Sequence, residues 1–204
     1  CLGGKGDFFH CFDIRDLTLR RTLRAEFHDV VDMKAHIAVI DQYGNIVSTT
    51  NTLGNGWGCK FMAPGLGFFY NSHIGNLDHE NPDSPDYVMP GKWVRSTISP
   101  SLVLQDGNPI MAVGSPGSLA IPPAVATIIN NVLLYGMNVQ QAINEPRAMA
   151  INRSGMDSPA RVSIEQPRFD PDLVAQMEGI GYEMNDVGEY NMAVGGIAAI
   201  YLDR

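Results

Sequence analysis

The sequence has few basic residues. Fourteen lysines and arginines stand against 22 aspartates and glutamates in 204 residues, which gives a net charge of −8. Proteins that bind nucleic acid use clusters of lysine and arginine to pair with phosphates, and here nearby aspartates and glutamates offset the arginines Arg20, Arg21 and Arg24. The composition therefore argues against nucleic acid as a partner.

Cysteine is scarce too, with only Cys1, Cys11 and Cys59. This odd number does not have the paired spacing of a zinc site or of a disulfide framework, so we expect structural or incidental roles for all three. The acidic segment 78–90 contains His79, but its spacing fits no calcium loop. The sequence thus predicts neither a metal site nor a cofactor.

Long apolar runs are also missing. A membrane-spanning helix needs about 18 or more predominantly apolar residues in a row, and no segment of the sequence reaches that length. The first residues do not have the basic-then-apolar order of a secretion signal. We therefore expect no membrane partner, while the sequence leaves the cellular location open.

The most informative segment that is present is Gly114–Ser118, which reads Gly-Ser-Pro-Gly-Ser. It lies between a short apolar run, Pro109–Val113, and a longer one, Ala120–Leu134. A strand that turns through glycines into a helix directs backbone N–H groups towards one point. Such a turn suits the binding of an anion or of the oxyanion that forms during acyl transfer.

Four further segments accompany this turn: Ala35–Asn45, Pro90–Lys92, Ser96–Pro100 and Asn144–Arg147. In their order along the chain and in their separations, the five segments resemble the small subunit of the gamma-glutamyltranspeptidase family, which belongs to the N-terminal nucleophile (Ntn) hydrolases. The resemblance runs from about Lys34 to the end of the sequence.

Position 34 is where the sequence departs most from the family. There the precursor cuts itself immediately before a threonine in a Thr-Thr-His-x-Ser-Val-Val-Asp strand, and the freed amino group acts as base for the new nucleophile. Here the strand reads Lys-Ala-His-Ile-Ala-Val-Ile-Asp from Lys34 to Asp41. Lysine offers neither the hydroxyl nor the thiol that this chemistry needs. We expect no autoprocessing at residue 34 and an impaired or inactive site, as in a pseudoenzyme.

The resemblance assigns roles to five positions that keep the family's chemistry. Thr52 matches the threonine that hydrogen-bonds the amine of the nucleophile. Gly117 and Ser118 match the two glycines of the oxyanion hole, where main-chain N–H groups donate, so that a serine still serves. Ser96 and Thr97 match the two serines that hold the α-carboxylate of the substrate.

The positions that contact the α-amine of the substrate have changed. The resemblance places Gly54, His73 and Asn76 where the family has asparagine, glutamine and aspartate. A carboxylate binds an ammonium through a charge-assisted hydrogen bond, roughly twice as strong as a neutral one, and Asn76 has no such charge. The implied substrate is a small-molecule amide or γ-glutamyl compound, and the pocket favours an acyl group other than free γ-glutamyl, as in the acylases and amidases of the family.

Two other interpretations stay open. The chain is an active amidohydrolase or acylase with another nucleophile such as Cys1, although the glycine-rich residues 2–6 are untypical of the buried strand that such a nucleophile begins. Alternatively, it is a non-catalytic carboxylate-binding or assembly subunit that uses the turn at residues 114–118. In the family the α-amine acts as the base, so the resemblance implies that His36 is a packed histidine rather than a general base.

The order of the predicted elements indicates an α+β fold, in which an antiparallel sheet is covered by helices on one face. The resemblance implies antiparallel sheets packed between helices, because in the family two sheets stack as an αββα sandwich, and this chain carries the small-subunit part of it. The predicted elements are a hairpin over 36–47, strands over 68–71 and 193–202, a second hairpin over 102–113, and helices over 122–135, 139–144 and 170–177.

We divide the chain into an N-terminal extension, residues 1–33, and a small-subunit-like domain, residues 34–204. Apolar spacing in Ile14–Val31 predicts an amphipathic helix within the extension. A small-subunit part by itself leaves a sheet edge and an apolar face uncovered. We expect a large-subunit-type chain or a second copy of this chain to cover them, unless the N-terminal helix does so.

Overall fold

The computed structural model describes residues 34–151 and 161–202. They divide into two compact units: a larger one made of 36–50 with the residues from 98 onwards, and a smaller one made of 34–35 with 51–97. Cys1, Cys11 and the helix predicted over Ile14–Val31 lie outside the described residues. The strands are β1 Lys34–Ile40, β2 Ile46–Thr52, β3 Ser101–Gln105, β4 Asn108–Gly114, β5 Ala148–Ile151, β6 Arg161–Ile164, β7 Glu183–Asp186 and β8 Ala198–Tyr201; the helices are α1 Ile121–Leu133, α2 Val139–Asn144 and α3 Pro171–Gly179.

Strands β1 and β2 form the first predicted hairpin. Every second residue of both strands is half-buried and the others are exposed, as expected for a sheet with one covered face. Asp41 closes the turn, because its Oδ1 accepts hydrogen bonds from Tyr43 N (2.8 Å) and Asn45 N (2.9 Å). Gly44 has a φ of 83°, where glycine avoids a steric cost. The hairpin prediction is confirmed.

Strands β3, β4 and β8 form an antiparallel sheet with β4 in the centre. Because side chains alternate along a strand, successive residues of β4 point to opposite faces of the sheet. Met111 and Val113 pack into the main apolar core with α1. On the other face, Gly114 lies against His36 of the hairpin, and Ser48 Oγ donates to Val113 O at 3.1 Å. Helix, sheet and hairpin therefore lie in successive layers, and the predicted α+β class is confirmed.

Helix α1 begins with Pro122 and Pro123 in its first turn, where a missing N–H is not needed for the helix. It ends at Leu133, two residues before the predicted end. Helices α2 and α3 are confirmed, with Asn138 and Asp170 as their N-caps. The residues of α1 that face the core recur at helical spacing: Ile121, Ala124, Val125, Ile128 and Val132.

Strands β5, β6 and β7 form a second three-stranded sheet that the sequence analysis did not predict. Strand β5 pairs with β6 antiparallel, and β6 pairs with β7 parallel. Val162, Ile164 and Val174 form a small core between this sheet and α3. Each strand has four residues, too few for the alternation of apolar and polar residues to be recognised.

The smaller unit consists mainly of loops between residues 51 and 97. The strand predicted over 68–71 is wrong, because only Phe69 takes part in an isolated bridge, to Met62. Segment 78–90 is a loop, as predicted, with one bridge between Asp78 and Tyr87. No helix within the part of the chain that the structure describes is long and apolar enough to cross a membrane.

Candidate active site

Lys34 is the first residue of β1 and is half-buried. Asp41 N donates to Asn45 O (3.0 Å), and His36 hydrogen-bonds Thr50. Both pairs fit one antiparallel register, in which each step along β1 is matched by one step back along β2. The same register places Lys34 opposite Thr52. The side chain of Lys34 ends in an amine and has no hydroxyl or thiol.

Thr52 lies at the end of β2, where the smaller unit begins. Its Oγ1 accepts a hydrogen bond from Gly54 N at 3.0 Å. This bond fixes the threonine hydroxyl at the start of the loop that carries the next predicted site residues.

Gly54 is held in very close contact with the segment that carries His73. It has a φ of +87°, and a Cβ atom at this position would lie 2.5 Å from Ser72 Oγ and 3.2 Å from His73 Cδ2. The Ser72 hydroxyl donates to Leu53 O (3.3 Å) and accepts from Asn55 N (2.9 Å). The structure therefore brings Gly54 and His73 together, and a side chain added at position 54 would displace the Ser72 hydroxyl.

Asn76 is occupied by a contact within the protein. Its Nδ2 donates to Arg95 O at 3.3 Å, and Arg95 directly precedes Ser96 and Thr97. The side-chain amide of Asn76 thus holds the segment that contains Ser96 and Thr97, the two residues predicted to bind the carboxylate of the substrate. Ser96 is exposed and Thr97 is half-buried. Residues 89–95, which come just before Ser96 in the sequence, line an open cleft of about 450 Å³ together with Asp86.

In the larger unit, the predicted oxyanion turn joins β4 to α1. Gly117 and Ser118 both have positive φ, 130° and 54°, and a short 3₁₀ helix follows in which Ala120 N donates to Gly117 O at 2.9 Å. Ser115 is fully buried, and its hydroxyl donates to Pro116 O. The strand, turn and helix occur in the order that the glycine pattern predicts.

His36 is packed beneath this region and carries a perturbed pKa. Its Nδ1 hydrogen-bonds Thr50 Oγ1 at 2.7 Å, while Nε2 is buried with no hydrogen-bond partner among the described residues. Burial lowers the pKa of His36 from 6.5 to about 4, so the ring is neutral at neutral pH. These contacts fit the expectation of a packed histidine.

Sequence reasoning missed one buried carboxylate. Glu165 is fully buried and accepts hydrogen bonds from Arg147 N (3.0 Å), Arg168 Nη1 (2.7 Å) and Asn191 N (2.9 Å). Burial lowers the pKa of the Arg147 guanidinium, while the charge of Glu165 opposes that shift. The sequence feature that could have indicated this buried carboxylate is an acidic residue directly after the partly apolar strand β6.

Among residues 34–151 and 161–202, no group of three histidine, cysteine, aspartate or glutamate side chains is placed to hold a metal ion. Cys59 is exposed and its thiol is free. Cys1, the alternative nucleophile, lies outside the described part of the chain.

Comparison with known proteins finds relatives over most of this chain. The sequence model described as Gamma-glutamyltranspeptidase matches residues 28–204. The glutathione hydrolase proenzyme of Bacillus subtilis strain 168 is 29% identical over 169 residues, which are 83% of this chain and 27% of that protein. The acylase ACY 1 proenzyme of Pseudomonas sp. strain SE83 is 34% identical over 112 residues, 55% of this chain and 20% of that protein. The chain therefore spans about a quarter of these relatives.

Solved structures share the fold. A gamma-glutamyltranspeptidase from Pseudomonas nitroreducens, complexed with L-DON, superposes with a TM-score of 0.70 at 25% sequence identity, covering 82% of this chain and 89% of that chain. The succession of helix, sheet and hairpin around β4 is therefore the arrangement of an Ntn-hydrolase fold.

Proposed function

Because the chain belongs to the gamma-glutamyltranspeptidase family, we propose that it carries an amide-binding site of that family in which Lys34 replaces the nucleophile and prevents both self-cleavage and the usual hydrolysis. The observation that carries this proposal is the identity of residue 34. Lys34 begins β1 and faces the same side of the hairpin as His36. A lysine side chain attacks a carbonyl only as the neutral amine, and it has no oxygen for an N-to-O acyl shift.

At other motif positions the chain keeps residue types that bind an amide substrate in the family. In this proposal the main-chain N–H groups of Gly117 and Ser118 stabilise an oxyanion, and the hydroxyls of Ser96 and Thr97 bind a carboxylate. Thr52 keeps the hydroxyl that orients an amine at position 34. These roles rest on motif positions, and the strand–turn–helix geometry at residues 114–121 supports the first of them.

The substrate that we propose is an amide whose acyl group has no α-ammonium. Two contacts support this choice. Gly54 is in close contact with Ser72 and His73, and these two residues occupy the space where the resemblance places an asparagine side chain in the family. Asn76 is neutral and donates to Arg95 O, so neither its charge nor its geometry suits an ammonium. Such a substrate is closer to those of an acylase than to glutathione.

We also propose that a large-subunit-type segment or a second copy of this chain packs on it. The relatives are proenzymes of which this chain covers about a quarter. In the smaller unit Trp57, Phe61, Phe68 and Tyr70 are all exposed, although their rings contact one another or a neighbouring aromatic ring. Apolar surface of this kind favours a partner. Analytical ultracentrifugation tests it: a monomer that does not bind a hydrophobic dye contradicts the proposal.

Hydrolysis of a panel of γ-glutamyl and simple acyl anilides tests the function. We expect no turnover by the natural chain, and turnover of simple acyl anilides in preference to γ-glutamyl ones after Lys34→Thr. Lys60→Asn removes an exposed lysine elsewhere, at a φ of 61° that asparagine tolerates, and serves as the control, with no gain expected. Turnover by the natural chain would refute the loss of the nucleophile and indicate a different one.

A further inference from the structure

The carboxylate of Glu165 connects three separate parts of the larger unit. Its Oε2 accepts from Arg147 N, directly before β5, and from Arg168 Nη1, while its Oε1 accepts from Asn191 N. The side chain of Glu165 has no exposed surface, and that of Arg168 is only 12% exposed. A buried carboxylate with three charge-assisted bonds fixes the groups around it more firmly than a surface pair does.

The segment Asn191–Gly196, here called the backing loop, is held at its start by this network. Asn191 N binds Glu165, and Asn191 Oδ1 accepts from Ala193 N at 2.9 Å. The guanidinium of Arg168 lies 3.9 Å from the ring centroid of Tyr190, the residue before the loop. Both charges of the Glu165–Arg168 pair therefore contact the entry to the backing loop.

The backing loop in turn packs directly behind the turn at Gly117. Gly196 N donates to Pro116 O at 3.3 Å. A Cβ atom built on Gly117 would lie 3.1 Å from Gly195 Cα, and one built on Gly195 would lie 3.0 Å from Ser115 Oγ. At these distances the turn cannot change its position unless the backing loop moves with it.

We propose that Glu165 is a positioning residue, which fixes the Gly117–Ser118 turn through the backing loop. The assignment of that turn as the oxyanion site rests on the function proposed above. The mechanical link does not, because it follows from contacts between Glu165, the loop and the turn. Glu165 touches no substrate in this proposal; it sets the direction of the two main-chain N–H groups.

The test is amide NMR of the full chain carrying Glu165→Asp. Aspartate keeps the negative charge that Arg168 needs but is one methylene too short to reach Asn191 N as well. We expect the amide resonances of Gly117, Ser118 and Gly196 to shift, and exchange of the Gly196 amide to accelerate by about tenfold, as for loss of one hydrogen bond to a charged group. Glu183→Asp makes the same change in the exposed pair with Arg161 and is the matched control.

A second variant, Asn191→Ala, loosens the backing loop from its own side and leaves the Glu165–Arg168 pair intact. We expect the same three amides to shift. If the turn amides of a folded Glu165→Asp protein move no more than in Glu183→Asp, the proposal is overturned. If Glu165→Asp does not fold, unmoved turn amides in Asn191→Ala overturn it instead.

Kinetics separate this proposal from the proposed function. In a Lys34→Thr chain that turns over acyl anilides, Glu165→Asp should lower kcat by about tenfold with little change in KM, because an oxyanion contact acts mainly in the transition state. A change in KM alone contradicts the positioning role. Should Lys34→Thr show no turnover, the proposed function fails, and the amide shifts still decide the role of Glu165.

Discussion

His36 and Gly114 are in direct contact between the hairpin and the central sheet of the larger unit. A Cβ atom built on Gly114 would lie 2.2 Å from both Cε1 and Nδ1 of the His36 ring. Gly114 is not one of the glycines with positive φ, so its backbone would accept any residue. Glycine is required at position 114 because the imidazole occupies the space of a side chain.

Gly114→Ala should therefore destabilise the fold through this contact alone. We expect a loss of about 1–3 kcal/mol in the free energy of unfolding, the usual cost of an added methyl in a filled core. Urea denaturation measures it. Gly179→Ala is the matched control, because no atom lies within 4 Å of a Cβ at that position. In the double variant Gly114→Ala/His36→Ala, the loss of unfolding free energy should be about 0.5–3 kcal/mol smaller than the sum of the two single losses. Strictly additive effects would show that the two residues do not compete for space.

Stability should fall in mild acid because of His36. Burial lowers its pKa in the folded chain to about 4. Unfolded histidine has a pKa near 6.5, so between these values the unfolded chain binds more protons, and acid favours unfolding. The contribution of His36 is fully present above about pH 6.5 and declines towards about pH 4. Since His36 is half-buried and solvent screens its charge, we expect about 1 kcal/mol rather than the roughly 3 kcal/mol of the full shift.

Urea denaturation of the natural chain and of His36→Asn across this pH range checks the assignment. The natural chain should lose more stability than the variant between neutral pH and about pH 4. Parallel losses in the two proteins would assign the acid sensitivity to other groups.

Gly54→Asn introduces the residue type that the resemblance places at this position in the family, and it should be costly. The new Cβ atom would lie 2.5 Å from Ser72 Oγ, whose hydrogen bonds to Leu53 and Asn55 hold it in place. Gly65→Asn is the matched control, with a similar φ of +76° and no atom within 4 Å. We expect Gly54→Asn to lose about 1–3 kcal/mol more than Gly65→Asn in chemical denaturation. Equal losses would mean that only the backbone conformation matters, and that the pocket has room for asparagine.

Strong local patterns made much of the fold predictable. The hairpin of β1 and β2 has alternating β-branched residues around a tight turn, and α1 has apolar residues at helical spacing, so both were predicted. The hairpin nevertheless ends at Thr52, five residues beyond its predicted end at 47, and α1 ends at Leu133, two residues before its predicted end. Strands β5, β6 and β7 were not, because four residues are too short for a period and because β6 and β7 pair in parallel across the intervening α3. The apolar run at 68–71 was taken for a strand, but its backbone makes only an isolated bridge at Phe69.

The candidate site was predictable only in its motif positions. The order of strand, glycine turn and helix identified Gly117 and Ser118 as a place for N–H donors, and the family resemblance supplied the remaining residues. The contacts of Gly54 with Ser72, of Asn76 with Arg95 and of Glu165 with Asn191 join residues 18, 19 and 26 positions apart. No local pattern encodes such pairs, since they arise when loops pack.

Intact-mass spectrometry of the full chain, after incubation with a glutamine-type affinity label, tests the central claim most directly. With lysine at position 34, we predict one species with the mass of the uncut and unlabelled chain, because no oxygen or sulfur nucleophile is available there. A fragment that begins at Lys34, or a covalent adduct of the label, would contradict the account.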